Sequence, residues 1–208
     1  MINNIFVFDD IIEENLQNII ELYCKESNNN WEYVENITFS DDDVIFKDNF
    51  PAKVIPLGNI SENSIQDIIE LIQKNTLEKT KMEYVKSYRI KINCTSPINI
   101  DESMEHKLLH VDKYENHIVI IYYVNDTDGD TLIFNNKNGN NSKDFNKQFN
   151  GSIDIKDFEL IKSVSPKKGR VVMFNGNLYH YGKYPKINDR FIININLVAK
   201  NKINRILI

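Results

Sequence analysis

Ile118-Val119-Ile120-Ile121-Tyr122-Tyr123-Val124-Asn125 decides the fold. Every side chain before the asparagine is β-branched or aromatic. That composition fits a pleated, buried strand. Working outward, the same reading gives strands at Tyr84–Cys94, Lys107–Val111, His117–Val124, Thr131–Phe134, Phe158–Val164, Arg170–Phe174, Leu178–Tyr181 and Arg190–Val198. Short strands separated by turns predict a sandwich or jelly roll. Pro166-Lys167-Lys168-Gly169 is a turn that feeds the strand from Arg170. Asn135–Gly151, rich in Asn, Lys and Gly, reads as a long exposed loop or a partly helical insert.

The first eighty residues are different. Ile5–Phe8 reads as a strand, and Asp9 or Asp10 is placed to cap a helix running to about Tyr23. Its apolar stripe would be Ile12, Leu16, Ile19, Ile20 and Tyr23. Trp31–Phe39 alternates like a strand, and Ser40-Asp41-Asp42-Asp43 reads as a solvated turn. Asn63 or Ser64 caps a second helix with Ile65, Ile68, Ile69 and Ile72 as its buried face. Both helices are expected on the outside of a sheet. The fold class is therefore α+β, mainly β, in one domain over 1–208, with support at about 1–81 and a β core at about 82–200.

Composition narrows the function classes. The 208 residues are 41% hydrophobic and 26% charged, ordinary for a globular chain, and the net charge is −5. No global basic field draws it to nucleic acid or anionic membrane. The N-terminus lacks a basic, apolar leader, and no apolar run approaches a membrane span, so the expectation is a cytoplasmic protein. Cys24 and Cys94 form no metal-type pair; two buried thiols are favoured, with a single disulfide left open.

Chemistry gathers at His110-Val111-Asp112, with His180 far downstream and Arg190 ten residues later. Side chains two apart on a strand share a face, so His110 and Asp112 point the same way. Two imidazoles and a carboxylate from two strands make the facial triad that suits non-haem Fe(II) and leaves positions open. A surface His–Asp hydrogen bond, a core histidine at 180 and an ordinary surface arginine at 190 are the plain alternatives. His106 precedes His110 by four residues, a helical spacing in a region of β character. His117 reads as a strand-edge residue.

These stretches together resemble the Fe(II)- and 2-oxoglutarate-dependent dioxygenases, in the prolyl 4-hydroxylase-like branch. The resemblance runs through His110-Val111-Asp112, Ile121–Asn125, Gly129–Phe134, Pro166–Arg170, and His180-Tyr181-Gly182 to Arg190–Asn194, covering roughly residues 82–200. It implies a double-stranded β-helix (jelly roll) supported by N-terminal helices. It implies His110, Asp112 and His180 as iron ligands, and Arg190 as the partner of the distal carboxylate of 2-oxoglutarate. A guanidinium suits that task because its planar fork matches a carboxylate. Tyr123 matches a tyrosine that assists at the same carboxylate, and Thr131 a position lining the pocket. Asn125 and Gly182 match positions read as structural. The implied activity is hydroxylation of a C–H bond, first of all in peptidyl proline, using Fe(II), 2-oxoglutarate and O2 and releasing succinate and CO2; ascorbate is compatible with it. The implied partner is a protein or peptide, with a small molecule second, nucleic acid disfavoured and no membrane.

Two departures leave substrate choice open: Asp128-Gly129 stands for a usual glycine pair, and Asn196 for a large aromatic residue of animal oxygen-sensing members. The loop Tyr114–His117 and the segment Asn93–Ser103 are candidates for substrate contact. The basic stretch Lys79–Lys91 reads first as a solvated strand edge and second as the border of an acidic substrate. A cupin-like metal enzyme without 2-oxoglutarate and a non-catalytic jelly-roll module are the rival functions. Arg190 separates the first from the dioxygenase reading, and the intact triad argues against the second. Metal binding is expected to weaken as histidines protonate below about pH 6.5.

Overall fold

A computed structural model describes residues 5–26, 31–34, 52–56, 63–99, 106–113, 115–137 and 154–202. Among these, ten strands and two α-helices follow in chain order: β1 (Phe6–Phe8), α1 (Glu14–Lys25), β2 (Glu32–Val34), β3 (Ala52–Pro56), α2 (Asn63–Lys79), β4 (Met82–Thr95), β5 (Ile118–Tyr123), β6 (Thr131–Asn136), β7 (Phe158–Val164), β8 (Val171–Asn175), β9 (Tyr179–Gly182) and β10 (Arg190–Asn201). The strands form a seven-stranded sheet ordered β1-β8-β5-β10-β4-β3-β2 and a three-stranded sheet ordered β7-β6-β9. All pairings are antiparallel. The result is a helix-supported jelly roll.

Alternation along the strands builds three layers. On one face of the large sheet Ile120, Tyr122, Met173, Ile193 and Ile195 join Ile20 and Tyr23 of α1 and Ile65, Ile69 and Ile72 of α2 in a single core. On the other face Val119, Ile121, Tyr123, Val172, Phe174 and Ile192 meet Ile133 and Val164 of the small sheet. The opposite face of the small sheet is covered by Leu109 and Val111, which pack on Leu132, Phe134, Tyr179 and Tyr181. Side chains with a period of two on a strand go to opposite layers, so adjacent Tyr122 and Tyr123 end up under the helices and between the sheets.

Helix α2 follows the expected stripe: Ile65, Ile68, Ile69 and Ile72 are all buried. Helix α1 corrects the sequence reading. It starts at Glu14, with Glu13 in the N-cap position and no side-chain cap bond. Asp9 instead accepts bonds from Lys167 and Arg170, at 3.0 and 2.7 Å. Asp10 has a left-handed φ of 51°, which breaks the chain direction before the helix. The later start rotates the stripe, so Ile19 is 45% exposed while Gln17, Ile20, Tyr23 and Cys24 are buried.

The segment 107–111 is also corrected. It is a 3-10 turn at His106–Leu108 followed by one isolated bridge, His110 to His180, rather than a strand. Its apolar residues cover the small sheet instead of extending a ladder. His117 is fully buried rather than at a strand edge, and its Nδ1 lies 2.7 Å from the Glu115 carbonyl. The loop expected over Asn135–Gly151 begins inside β6; beyond Lys137 it lies outside the described residues, as do Asp41–Asp43 and most of the Trp31–Phe39 strand. Cys24 and Cys94 are both buried thiols with no disulfide between them. Among the described residues no helix is long and apolar enough to cross a membrane.

Candidate metal centre

The reciprocal backbone pair between His110 and His180 places the first two site residues. His110 N donates to the His180 carbonyl at 3.1 Å, and His180 N to the His110 carbonyl at 2.8 Å. Their rings lie 4.6 Å apart, centroid to centroid. In each residue Nδ1 faces the carbonyl two positions back: Leu108 O at 2.7 Å and Leu178 O at 3.1 Å. A proton on Nδ1 satisfies that carbonyl and leaves the Nε2 lone pair free. Both Nε2 atoms turn toward Asp112, at 3.6 Å from Oδ1 for His110 and 3.7 Å from Oδ2 for His180. The three ligand atoms lie within 4.8 Å of one another, so the group can hold a metal ion.

Asp112 is buried and its carboxylate is held by charge and by amides. Arg89 Nη2 donates to Oδ1 at 2.8 Å, and Asn196 and Asn194 Nδ2 donate to Oδ2 at 2.9 and 3.3 Å. Burial opposes its ionisation, yet the Arg89 guanidinium and the two histidines outweigh burial and hold the carboxyl well below the usual carboxylate range. Burial and the neighbouring His110 push His180 down to about 4, against the pull of Asp112, which favours the neutral imidazole at neutral pH. Lys91 is pushed down to about 7, by burial first and by Arg89 second.

A second constellation adjoins the triad. Arg190, Thr131, Ile192 and Asn194 line one cavity with His110, Asp112 and His180. Arg190 is 4% exposed; its Nη2 donates to Thr131 Oγ1 at 2.8 Å, and Tyr123 donates its hydroxyl to the same oxygen at 2.7 Å. Tyr123 also presents its ring to the guanidinium, 5.7 Å from Cζ. Gly182 makes room for this group: a Cβ there would lie 3.0 Å from Arg190 Nη1. Arg190 Nε is buried with no hydrogen-bond partner, and no carboxylate among the described residues pairs with the guanidinium.

The six residues that the sequence analysis assigned to a site fall in one region: His110, Asp112 and His180 at one end, Arg190, Tyr123 and Thr131 at the other. Asn125 lies outside it, donating to Asp189 O and accepting from Phe191 N, which ties the turn before β10 to the end of β5. His106 packs edge-on against Tyr181 and takes no part in the triad. Sequence reasoning placed Arg89 and Lys91 in a basic strand edge and Asn93 in a substrate-contact segment, gave Asn194 no role of its own, and set none of the four beside the triad. Their signal was present: Arg89, Lys91, Asn93 and Thr95 alternate with Ile90, Ile92 and Cys94, as Asn194 and Asn196 alternate with Ile193 and Ile195. A polar period of two in a buried strand marks a face turned to a polar cavity.

No protein-family model matches the sequence, and no curated protein sequence matches it. Solved structures do. A prolyl hydroxylase from Trichoplax adhaerens, in complex with a hypoxia-inducible factor oxygen degradation domain peptide, superposes with a TM-score of 0.59 at 11% identity, over 94% of this chain and 84% of that one. A Pseudomonas putida prolyl-4-hydroxylase gives 0.56 at 10% identity, over 93% and 91%. The nogalamycin-pathway epimerase SnoN, in complex with Fe3+, α-ketoglutarate and nogalamycin RO, gives 0.58 at 5% identity, over 95% and 81%. The chain has the fold of the 2-oxoglutarate–Fe(II) oxygenases. In that fold the His–Asp–His group of this chain lies between the two sheets, where β9 and the segment at 110–112 meet β10 and β4.

Proposed function

We propose that this protein is a non-haem Fe(II)- and 2-oxoglutarate-dependent dioxygenase that hydroxylates a C–H bond, with peptidyl proline as the first substrate to test. The observation that carries the reading is the buried, carboxylate-free guanidinium of Arg190 beside a His–Asp–His triad. A desolvated cation is costly unless an anion joins it. A dicarboxylate that reaches the triad at one end and Arg190 at the other satisfies both groups. The donor set fits the ion, since neutral imidazoles with a carboxylate and open positions suit Fe(II).

Bound together, iron and 2-oxoglutarate would activate O2 as the oxidant, one oxygen atom entering the C–H bond and the other the 2-oxoglutarate, which would leave as succinate and CO2. The protein's own residues bind and orient. His110, Asp112 and His180 hold the ion. Arg190 grips the far carboxylate, Thr131 fixes the Arg190 fork, and Tyr123 closes it with its ring and hydroxyl. Ile121, Ile192 and Leu108 in the cavity wall limit water. A second substrate class has support of its own: SnoN acts on a small molecule, and its fold matches this chain about as well as the hydroxylases do.

The test is anaerobic reconstitution with Fe(II) and 2-oxoglutarate, followed by the visible charge-transfer absorption of the chelate. Wild type is expected to show the band, His110→Ala to lose it and Arg190→Ala to need far more 2-oxoglutarate. A folded wild type with no band overturns the reading. Succinate release with proline-containing peptides, set against small-molecule acceptors, then decides the substrate class.

A further inference from the structure

A carboxylate offers about four lone-pair sites, two on each oxygen. In Asp112 both sites on Oδ2 face amide donors, Asn196 at 2.9 Å and Asn194 at 3.3 Å, and one site on Oδ1 takes Arg89 at 2.8 Å. The amides are themselves fixed. Asn196 Nδ2 also donates to Asn194 Oδ1 at 2.8 Å, and Arg89 Nη2 reaches Asn196 Oδ1 at 3.1 Å. The donors come from two neighbouring strands of the large sheet, where Arg89 pairs with Asn196 across β4 and β10. The ring of bonds is therefore closed, buried at Asp112, Asn194 and Asn196 and half-buried at Arg89. It sets a cation directly on the one anionic member of the triad.

We propose that Arg89 is a positioning residue for the metal centre: with Asn194 and Asn196 it leaves Asp112 a single lone pair, on Oδ1, for the ion, and its positive charge weakens that ligand as a donor. This rests on the reading that the triad holds the ion, and deepens it. The carboxylate is monodentate, and the centre binds a divalent ion less tightly than one whose aspartate meets only neutral groups. A guanidinium near a divalent cation repels it, most strongly in a dry site. Residues that hold a metal ligand from behind commonly change metal affinity by about 10- to 100-fold. The usual sense of that change is loss when the residue is removed. Here charge repulsion sets the opposite sign.

The experiment titrates metal-free protein with Co(II) against a colorimetric chelator, using wild type, Arg89→Gln and Arg89→Lys, with the melting temperature of each metal-free form. Arg89→Gln is expected to melt lower without metal, yet to bind Co(II) about tenfold more tightly or better. Arg89→Lys keeps the charge and is expected to stay near wild type. With Fe(II) and 2-oxoglutarate, Arg89→Gln is expected to shift the charge-transfer band to longer wavelength, because a stronger donor makes the ion more electron-rich. Equal or weaker Co(II) binding by a folded Arg89→Gln overturns the inference and leaves Arg89 a scaffold. If that variant does not fold, Asn196→Ala frees a lone pair on Oδ2 without altering charge. A changed Co(II) absorption intensity supports the inference, and an unchanged spectrum overturns it. A wild type that binds no Co(II) at all overturns the site reading and the inference together.

Discussion

Arg190 has two opposed effects, one on stability and one on binding. Its guanidinium is 4% exposed, and burial lowers its proton affinity even with Tyr123 and Asp130 pulling the other way. Replacing buried ion pairs by well-packed apolar side chains of similar volume is often neutral or stabilising, by up to about 4 kcal/mol, and a buried cation with no carboxylate partner offers at least as much to gain. Arg190→Met is therefore expected to raise the melting temperature of the ligand-free protein, by roughly 2–4 °C for each kcal/mol at this length. The same variant is expected to lose most of its 2-oxoglutarate affinity, read by calorimetry with Co(II) present. A lower melting temperature in Arg190→Met would mean that the Thr131 and Tyr123 contacts already compensate the charge. Gly182 makes a milder probe. A Cβ at that position meets Nη1, Cζ and Nη2 of Arg190 at 3.0–3.1 Å, so Gly182→Ala should push the fork out of register. Its expected signature is about tenfold weaker 2-oxoglutarate binding, since misplacing a binding group by a fraction of an ångström is costly, with a melting temperature close to wild type. The residue read from the sequence as structural is in effect a spacer for the Arg190 guanidinium.

Helix α2 supports the large sheet from the side away from the site. Ile72 is fully buried there among Ile20, Ile69 and Ile195. Ile72→Ala is expected to cost about 2–5 kcal/mol in denaturant unfolding, the range for such truncations, while the Fe(II)–2-oxoglutarate band keeps its position. A moved band would show that the helix layer tunes the centre through the sheet. These elements also show what the sequence could tell. Isoleucines at helical spacing announced α2, and stretches rich in β-branched and aromatic residues announced β5, β8 and β10, because in each the pattern is local. The triad was legible only in part for that reason: His110 and Asp112 are two apart, but His180 lies far downstream and entered through the ordered resemblance, and the carbonyls of Leu108 and Leu178 that face each Nδ1 belong to the fold. What failed depends on distant partners. Asp9 cannot cap α1 because Lys167 and Arg170 claim it across the fold. The apolar run at 107–111 resembles a strand, but only His110 finds a ladder partner, and Leu109 and Val111 act as a cover. The polar alternation along β4 turns Arg89 toward a cavity, but its partner Asp112 comes from a distant segment that the alternation does not name.

Across the whole molecule, the N-terminus is tied to the turn before β8 by charge. Arg170, Lys167 and Asp9 form the knot: the Arg170 bond first, joined by that of Lys167, lowers Asp9 to about 2 against the opposing effect of burial. A depressed carboxylate gives stability that is fully present above its unfolded value, near 3.9, and lost as pH falls through its folded value. The melting-temperature difference between wild type and Asp9→Asn should therefore be constant at neutral pH and vanish between about pH 4 and 2. A difference that persists below that window would place the stabilisation elsewhere. The strand order carries a last consequence. In the large sheet β10 lies between β5 and β4, yet of all the described strands it is the last to leave the ribosome. Until it arrives, the nascent chain holds two half-sheets, β1-β8-β5 and β4-β3-β2, whose inner borders face each other with unpaired backbone groups. Such borders invite pairing with the wrong chain. The strand that brings Arg190, Asn194 and Asn196 is thus also the one that seals the sheet, so a translation product cut short before it would lack the anion site and be prone to aggregate.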